Sequence, residues 1–336
     1  MRIAIANRSP AAIDLIRLVL RGVPEHRVIW EAVDGAAAVA KCAADTPDVL
    51  LLDMALPGVS GVDVTRRIME ASPCRILIVT GAVKDNASRI FEAMRWGAID
   101  VVGTPVMEGG SLKGEKELLQ KMGVVQKLVG KGREAPAEAS RPISPRSVPL
   151  IAIGSSTGGP KALATILKGL PRDFRGAVVV IQHIDASFTT GLVDWLSGQS
   201  QLGIAVARAG DGIARGQVLV AQGPDDLVMT RERVLAYSNE DSRAPYHPSI
   251  NRFFESCAAH WGHPGIAVLL SGMGKDGVAG MLSLRRVGWI TMAQDEATSV
   301  IYGMPKAAAK EKAASQVLPV GDLAPAILER VRRGGD

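Results

Sequence analysis

Short apolar runs recur through the first third of the chain, at RIAIA (2–6), VIWEAV (28–33), VLLLD (49–53), RILIVT (75–80) and DVVGT (100–104). Between them, AAIDLIRLVLRG (11–22) and SRIFEAMRWG (88–97) carry apolar residues at helical spacing. Continuous apolar strands alternating with helices predict a parallel sheet covered on both faces; a strand with one wet face would alternate apolar and polar instead. KGREAPAEASRPISPRSVP (131–149) breaks every period and has little to bury, which predicts a flexible linker. The alternation resumes at 149, with apolar runs at AVVVIQ (177–182), GIAVLLSG (265–272) and GWITMA (288–293) predicting a second parallel sheet. QVLVAQGPDDLVMTRERVLAYS (217–238) differs: short strands separated by Gly-Pro-Asp and Arg-Glu-Arg turns predict an antiparallel extension.

The expected architecture is therefore α/β throughout. A flavodoxin-like doubly wound domain spans 1–130, a linker 131–148, and a doubly wound, mostly parallel domain with an antiparallel hairpin 149–336. A length of 336 residues suffices for two cores. Composition is that of a globular protein, 47% hydrophobic and 22% charged, and no apolar run approaches the ~18 residues of a membrane span. The N-terminal MRIAIANRSP lacks the apolar core and cleavage site of a signal peptide and reads as a first strand, so a cytoplasmic protein with no membrane insertion is expected. A net charge of +5, spread along the chain and not interleaved with aromatics, points to no nucleic-acid partner. Three scattered cysteines (Cys42, Cys74, Cys257) supply neither a disulfide framework nor a metal cluster and are expected to be incidental thiols.

Candidate chemistry starts at LIAIGSSTGGP (150–160), an apolar strand entering a turn of glycines and hydroxyls. Gly154-Ser155-Ser156-Thr157-Gly158 fits G-x-S-x-G, the elbow that presents a nucleophilic serine, here Ser156, between strand and helix. A phosphate-binding glycine loop would look nearly the same, and the loop alone does not choose. A serine needs a base. Of five histidines, His183 closes the next apolar strand, where parallel neighbours would bring it to the edge that carries Ser156. Asp276, in LLSGMGKDG (269–277), follows another apolar strand and supplies a carboxylate to orient that base. In the first domain, Asp53 and Thr80 end the third and fourth strands, where open α/β sheets place their chemistry; a carboxylate beside a hydroxyl can accept a phosphoryl group.

LLLDMALPGVSG (50–61), ILIVT (76–80) and EAMRWGAIDVV (92–102) resemble the receiver domains of two-component signalling. The resemblance implies Asp53 as phosphoacceptor and Thr80 as switch hydroxyl. It also shows two departures. The acidic pair that holds Mg²⁺ in receivers reads Asn7-Arg8 here, and the lysine before the proline after the fifth strand reads Thr104. Poor Mg²⁺ binding is expected, with Arg8 pairing with Asp53 in the metal's stead. IGSSTGGP, VVIQH, LLSGMGKDG and AQDEATSVIYGMPKAA resemble the catalytic domain of chemotaxis-type protein-glutamate methylesterases, the CheB family, and Asn7 with Thr104-Pro105 looks most like its WspF branch in Wsp-type chemosensory systems. YHPSINRFFES (246–256) departs from the family's Tyr-Arg-Pro-Ser-Val-Asp at His247 and Asn251.

The resemblance implies a hydrolase of glutamate γ-methyl esters on chemoreceptor cytoplasmic helices, with glutamine deamidation as a related activity and no cofactor for catalysis. It implies Ser156 as nucleophile, His183 as base, Asp276 as orienting carboxylate, and oxyanion support near Thr157 and Met273. The implied partners are a methylated chemoreceptor and a CheA-type histidine kinase, with the receiver gating the esterase. The alternative is a non-catalytic adaptor that binds receptor or kinase.

Overall fold

The structure, a computed structural model, describes residues 1–81, 83–127, 148–239 and 246–333. The expected linker lies, apart from Val148, outside the described residues. The chain divides into two compact units, 1–131 and 132–336.

The first unit contains five parallel strands in the order β2-β1-β3-β4-β5: β1 (Arg2–Ala6), β2 (Arg27–Ala32), β3 (Val49–Leu52), β4 (Arg75–Thr80) and β5 (Asp100–Gly103). This 2-1-3-4-5 order is the flavodoxin-like one. β3 is buried along its whole length, which is why it reads as an unbroken apolar run. The flanking helices begin on local caps, as where Ser9 and Asp34 accept from the Ala12 and Ala37 amides. A small antiparallel hairpin, β6 (Val106–Glu108) with β7 (Ser111–Lys113), follows the sheet. It is largely exposed and carries no apolar run, so the pattern along the sequence does not announce it.

The second unit is built on a seven-stranded sheet, parallel throughout. Its strands are β8 (Leu150–Ser155), β9 (Ala177–Gln182), β10 (Gly203–Val206), β11 (Gln217–Val220), β14 (Ile266–Leu269), β15 (Ile290–Gln294) and β16 (Gln316–Leu318). They lie in the order β10-β11-β9-β8-β14-β15-β16. The antiparallel hairpin is β12 (Asp226–Met229) with β13 (Leu235–Ser238). The expectation for 217–238 is corrected at its start: Gln217–Val220 is not part of the hairpin but a parallel strand between β10 and β9. Its last three residues are buried, and a strand buried on both faces belongs inside a sheet.

Strand order decides what can meet. β8 sits at the centre, between β9 and β14, and all three run the same way, so the residues that follow them emerge side by side at one sheet edge. The helix Ile250–His260 packs against the helix Val278–Arg286 and brings its N-terminus to that edge. The close approach needs Gly154 at the end of β8, because a Cβ there would stand 2.4 Å from Ile250 Cγ2.

Candidate active site

Ser155 and Gln182 are register partners at the ends of β8 and β9, and the His183 amide donates to the Ser155 carbonyl at 2.9 Å. Ser156 and His183 therefore leave adjacent strands side by side. On the other flank, the Ser156 amide donates to the Ser271 carbonyl at 3.0 Å, just beyond β14. The Ser156 hydroxyl has no hydrogen-bond partner among the described residues and is nearly buried.

The His183 ring is held at one edge and on one face. Its Nε2 is 2.8 Å from Asp276 Oδ2, and its ring stacks on Tyr246 with centroids 4.7 Å apart and planes 11° from parallel. A carboxylate only accepts, so Nε2 carries the proton and Nδ1 is the basic nitrogen. Nδ1 is buried without a partner. A buried, unpartnered basic nitrogen costs desolvation energy, and a site that binds a proton donor recovers it.

Asp276 faces donors only. Oδ2 accepts from His183 and from the Ile250 amide at 2.8 Å. Oδ1 accepts from the Asn251 amide at 2.9 Å, the Gly277 amide at 3.0 Å and the Ser249 hydroxyl at 3.2 Å. Two of these amides belong to the first turn of the helix Ile250–His260, whose free N–H groups and dipole favour an anion. Burial pushes the Asp276 pKa up, but the hydrogen bond and charge of His183 and the Asn251 and Ile250 amides outweigh it and hold the carboxyl below the ordinary aspartate range.

Buried Gln182 braces the loops. Its Nε2 donates to the Ser156 carbonyl at 3.0 Å and the His183 carbonyl at 3.1 Å, while its Oε1 accepts from the Ser155 hydroxyl at 2.6 Å. Ser271 ties the next loop down, donating from Oγ to the Thr157 carbonyl at 2.7 Å. Thr157 is buried after β8 and Met273 half-buried after β14, so both sit on loops at this edge. Gln182, Tyr246, Ser249 and Ser271 were not singled out from the sequence. Gln182 left a trace as a polar residue closing an otherwise apolar strand, and Tyr246, Ser249 and Ser271 lie inside the family-like stretches YHPSINRFFES and LLSGMGKDG.

Residues 151–327 match the family described as CheB methylesterase, and residues 3–109 match the response regulator receiver domain. The chain belongs to the CheB methylesterase family. A Burkholderia thailandensis relative named protein-glutamate methylesterase/protein-glutamine glutaminase 4 is 45% identical over 336 residues, covering 99% of this chain and 98% of its own. A Burkholderia lata relative, protein-glutamate methylesterase/protein-glutamine glutaminase 1, is 47% identical over 328 residues, with 96% and 97% covered. The solved CheB methylesterase catalytic domain of Thermotoga maritima is 32% identical, with a TM-score of 0.53 over 55% of this chain and 98% of that one. These matches reach the family and do not select the WspF branch within it.

The two departures from the family's tyrosine-containing motif lie close to the site. His247 Nδ1 is 3.0 Å from buried Asp226 Oδ1, which also accepts from the Ser249 amide at 2.6 Å. Asn251 Oδ1 accepts from the Gly280 amide at 2.9 Å, joining the two packed helices.

In the receiver unit, Asp53 is buried beyond β3, and its Oδ1 accepts from the Ala55 amide at 3.3 Å. Thr80 is fully buried at the end of β4, with its hydroxyl unpartnered. The expected Arg8–Asp53 pair is not formed: Arg8 is exposed, and among the described residues it makes no ion pair with Asp53. Solvation at the surface competes with burying a guanidinium beside a half-satisfied carboxylate, and here the surface wins. Asn7 Oδ1 is engaged by the Ser9 amide at 2.9 Å, at the start of the first helix. Asp53 is thus the one carboxylate at this edge among these positions, a donor set that does not fit Mg²⁺.

Proposed function

We propose that this chain is a protein-glutamate methylesterase acting through Ser156, His183 and Asp276. The observation that carries the reading is the His183 ring, fixed by Asp276 through Nε2, with its basic Nδ1 buried and unpartnered at the edge that carries the Ser156 hydroxyl. The substrate is the γ-methyl ester of a glutamate on a chemoreceptor's cytoplasmic helices, so the protein works on the cytoplasmic side. Ser156 Oγ attacks the ester carbonyl while His183 Nδ1 takes its proton. Asp276 holds the tautomer and stabilises the imidazolium. Collapse of the tetrahedral intermediate breaks the bond to the methoxy oxygen, which leaves as methanol with the proton from Nδ1. Water then attacks the glutamyl-serine ester, again giving its proton to Nδ1, and Ser156 is regenerated. A glutamine side chain would follow the same course and release ammonia.

The oxyanion requires N–H donors already in place. The Ser156 amide is committed to the Ser271 carbonyl, and the family resemblance assigns the oxyanion support to the loops at Thr157 and Met273. No metal enters the ester chemistry. Asp53 is the phosphoacceptor position of the receiver and Thr80 its switch hydroxyl; without an acidic pair at Asn7-Arg8, phosphorylation by a CheA-type kinase would proceed without the usual Mg²⁺ site.

The test is methanol release from a methylated receptor fragment by the full chain and by Ser156→Ala, each with and without acetyl phosphate and Mg²⁺. Release by the wild type and none by Ser156→Ala supports the esterase. Binding of the receptor fragment without release by either would make the protein an adaptor and overturn the proposal.

A further inference from the structure

Cys42 and Cys74, 32 positions apart, have their sulfurs 3.9 Å from each other. Cys42 lies in the last turns of the helix Gly35–Ala44, and Cys74 immediately precedes β4. The helix runs back against the strands, so its end meets the start of β4 at the sheet edge opposite Asp53 and Thr80. Cys42 is fully buried and its thiol also lies 3.8 Å from the Ser72 carbonyl, whereas Cys74 is only half-buried. Among the described residues no group of three or more potential metal ligands is found, so the pair has no third partner for a metal. Two thiols in contact, one in a partly exposed residue and one in a buried residue, are the arrangement of an attacking and a resolving cysteine.

We propose that Cys42 and Cys74 form a redox modification site in the receiver unit, closing to a disulfide on exposure to a hydroperoxide. The contact itself favours the chemistry. The hydrogen bond shared with Cys74 outweighs burial and lowers the Cys42 pKa to about 7, while the same contact and burial push Cys74 up. The contact thus favours a single thiolate across the pair, with one proton passing between the two sulfurs.

When the shared proton crosses the 3.9 Å contact to buried Cys42, the more exposed Cys74 becomes the thiolate and attacks the outer oxygen of the hydroperoxide. The O–O bond breaks, the departing alkoxide or hydroxide takes a proton from water, and Cys74 becomes a sulfenic acid. The Cys42 sulfur then attacks the sulfenic sulfur, the S–O bond breaks, and the leaving hydroxide departs as water with the proton from Cys42. Two thiols lose two electrons and two protons; one hydroperoxide becomes water and an alcohol, or two waters where it is hydrogen peroxide. A low-molecular-weight thiol reverses the bond by exchange. Cys257 is an internal control, since it is buried in the helix Ile250–His260 and burial raises its pKa, making it inert.

The test exposes the full chain to hydrogen peroxide, blocks remaining thiols with an alkylating agent under denaturing conditions, and maps the peptides by mass. A peptide pair linking Cys42 to Cys74, lighter by ~2 Da than the two thiol peptides together, cleaved by dithiothreitol, with Cys257 alkylated, is the expected result. Cys42→Ser should stop at an oxygen adduct on Cys74. Two outcomes in the wild-type chain overturn the proposal: both thiols still alkylated, or oxygen accumulating on Cys74 while Cys42 remains alkylatable. Both are measured on the wild-type chain, so neither depends on whether the variant folds.

Discussion

Asp276→Asn tests the proposed site most directly, because the structure offers the new amide no acceptable orientation. In the native site two donors point at Oδ2 and three at Oδ1. An asparagine presents one acceptor and one NH₂ group, so an NH₂ at the Oδ1 position meets three donors and one at the Oδ2 position meets two unless His183 moves its proton to Nδ1. Each buried donor left unmet costs about 1–3 kcal/mol. With relaxation of the Ser249 hydroxyl, which can rotate away, a loss of about 2–5 kcal/mol in the stability of the esterase unit is expected. Activity should fall further. An amide turned with its NH₂ toward His183 favours a proton on Nδ1, the wrong nitrogen for a base, and a change of that kind costs about 10⁴ in kcat, or roughly 5.5 kcal/mol of barrier.

The assay is methanol release together with urea unfolding, at pH 7 and at low pH. The sign with pH follows from the depressed native pKa of Asp276. Its stabilisation is present above the unfolded aspartate value of about 3.9 and is lost as pH falls through the lower native value. The stability gap between wild type and Asp276→Asn should therefore close in acid. A variant within tenfold of wild-type kcat at pH 7, or a gap that widens on acidification, would refute the reasoning.

Three further outcomes are expected. Gly272→Ala places a Cβ 2.7 Å from Ser156 Cβ and Met304 Sδ, so Ser156 must shift; kcat should drop about 100-fold, and unchanged turnover would show that Ser156 has slack. Tyr246→Phe should keep most activity and Tyr246→Ala lose about 3–10-fold in kcat/KM, as removal of one stacked ring predicts; equal losses in both would point to the hydroxyl. Thr80→Val removes a buried hydroxyl that has no partner and should raise the receiver unit's stability by about 1 kcal/mol, read as a higher urea midpoint; a lower midpoint would mean that the hydroxyl is satisfied in solution.

The main strands were legible because burial on both faces leaves continuous apolar runs, and RILIVT is β4 residue for residue. The edges were not. β10 is alternately exposed and half-buried and β16 is half-buried throughout; as strands of only four and three residues at the sheet margins, their apolar residues were passed over. At the site, Ser156, His183 and Asp276 could be picked out as polar residues just past apolar strands, since strand-end position is a local signal. Tyr246 and Ser249 could not, because their role depends on how a helix N-terminus docks on β8, and the glycine that permits this looks like any other glycine. The Arg8–Asp53 pairing failed for a related reason: sequence gives the two positions but not which way a long side chain turns. The Cys42–Cys74 contact was illegible outright, since a 32-residue separation becomes contact only through the strand order and the return of a helix.

The central position of β8 also bears on how the protein is made. β8 begins at Leu150, but its neighbour β14 begins only at Ile266 and Asp276 lies beyond that. The first unit pairs all its strands within its own residues and can close while the rest of the chain is still being synthesised. The esterase sheet gains its middle pairing only after Ile266 has left the ribosome. An interrupted nascent chain therefore carries the serine and the histidine without the carboxylate or the sheet that aligns them. Every chain that acquires a complete esterase site has already made its receiver unit, so translation never produces a free esterase.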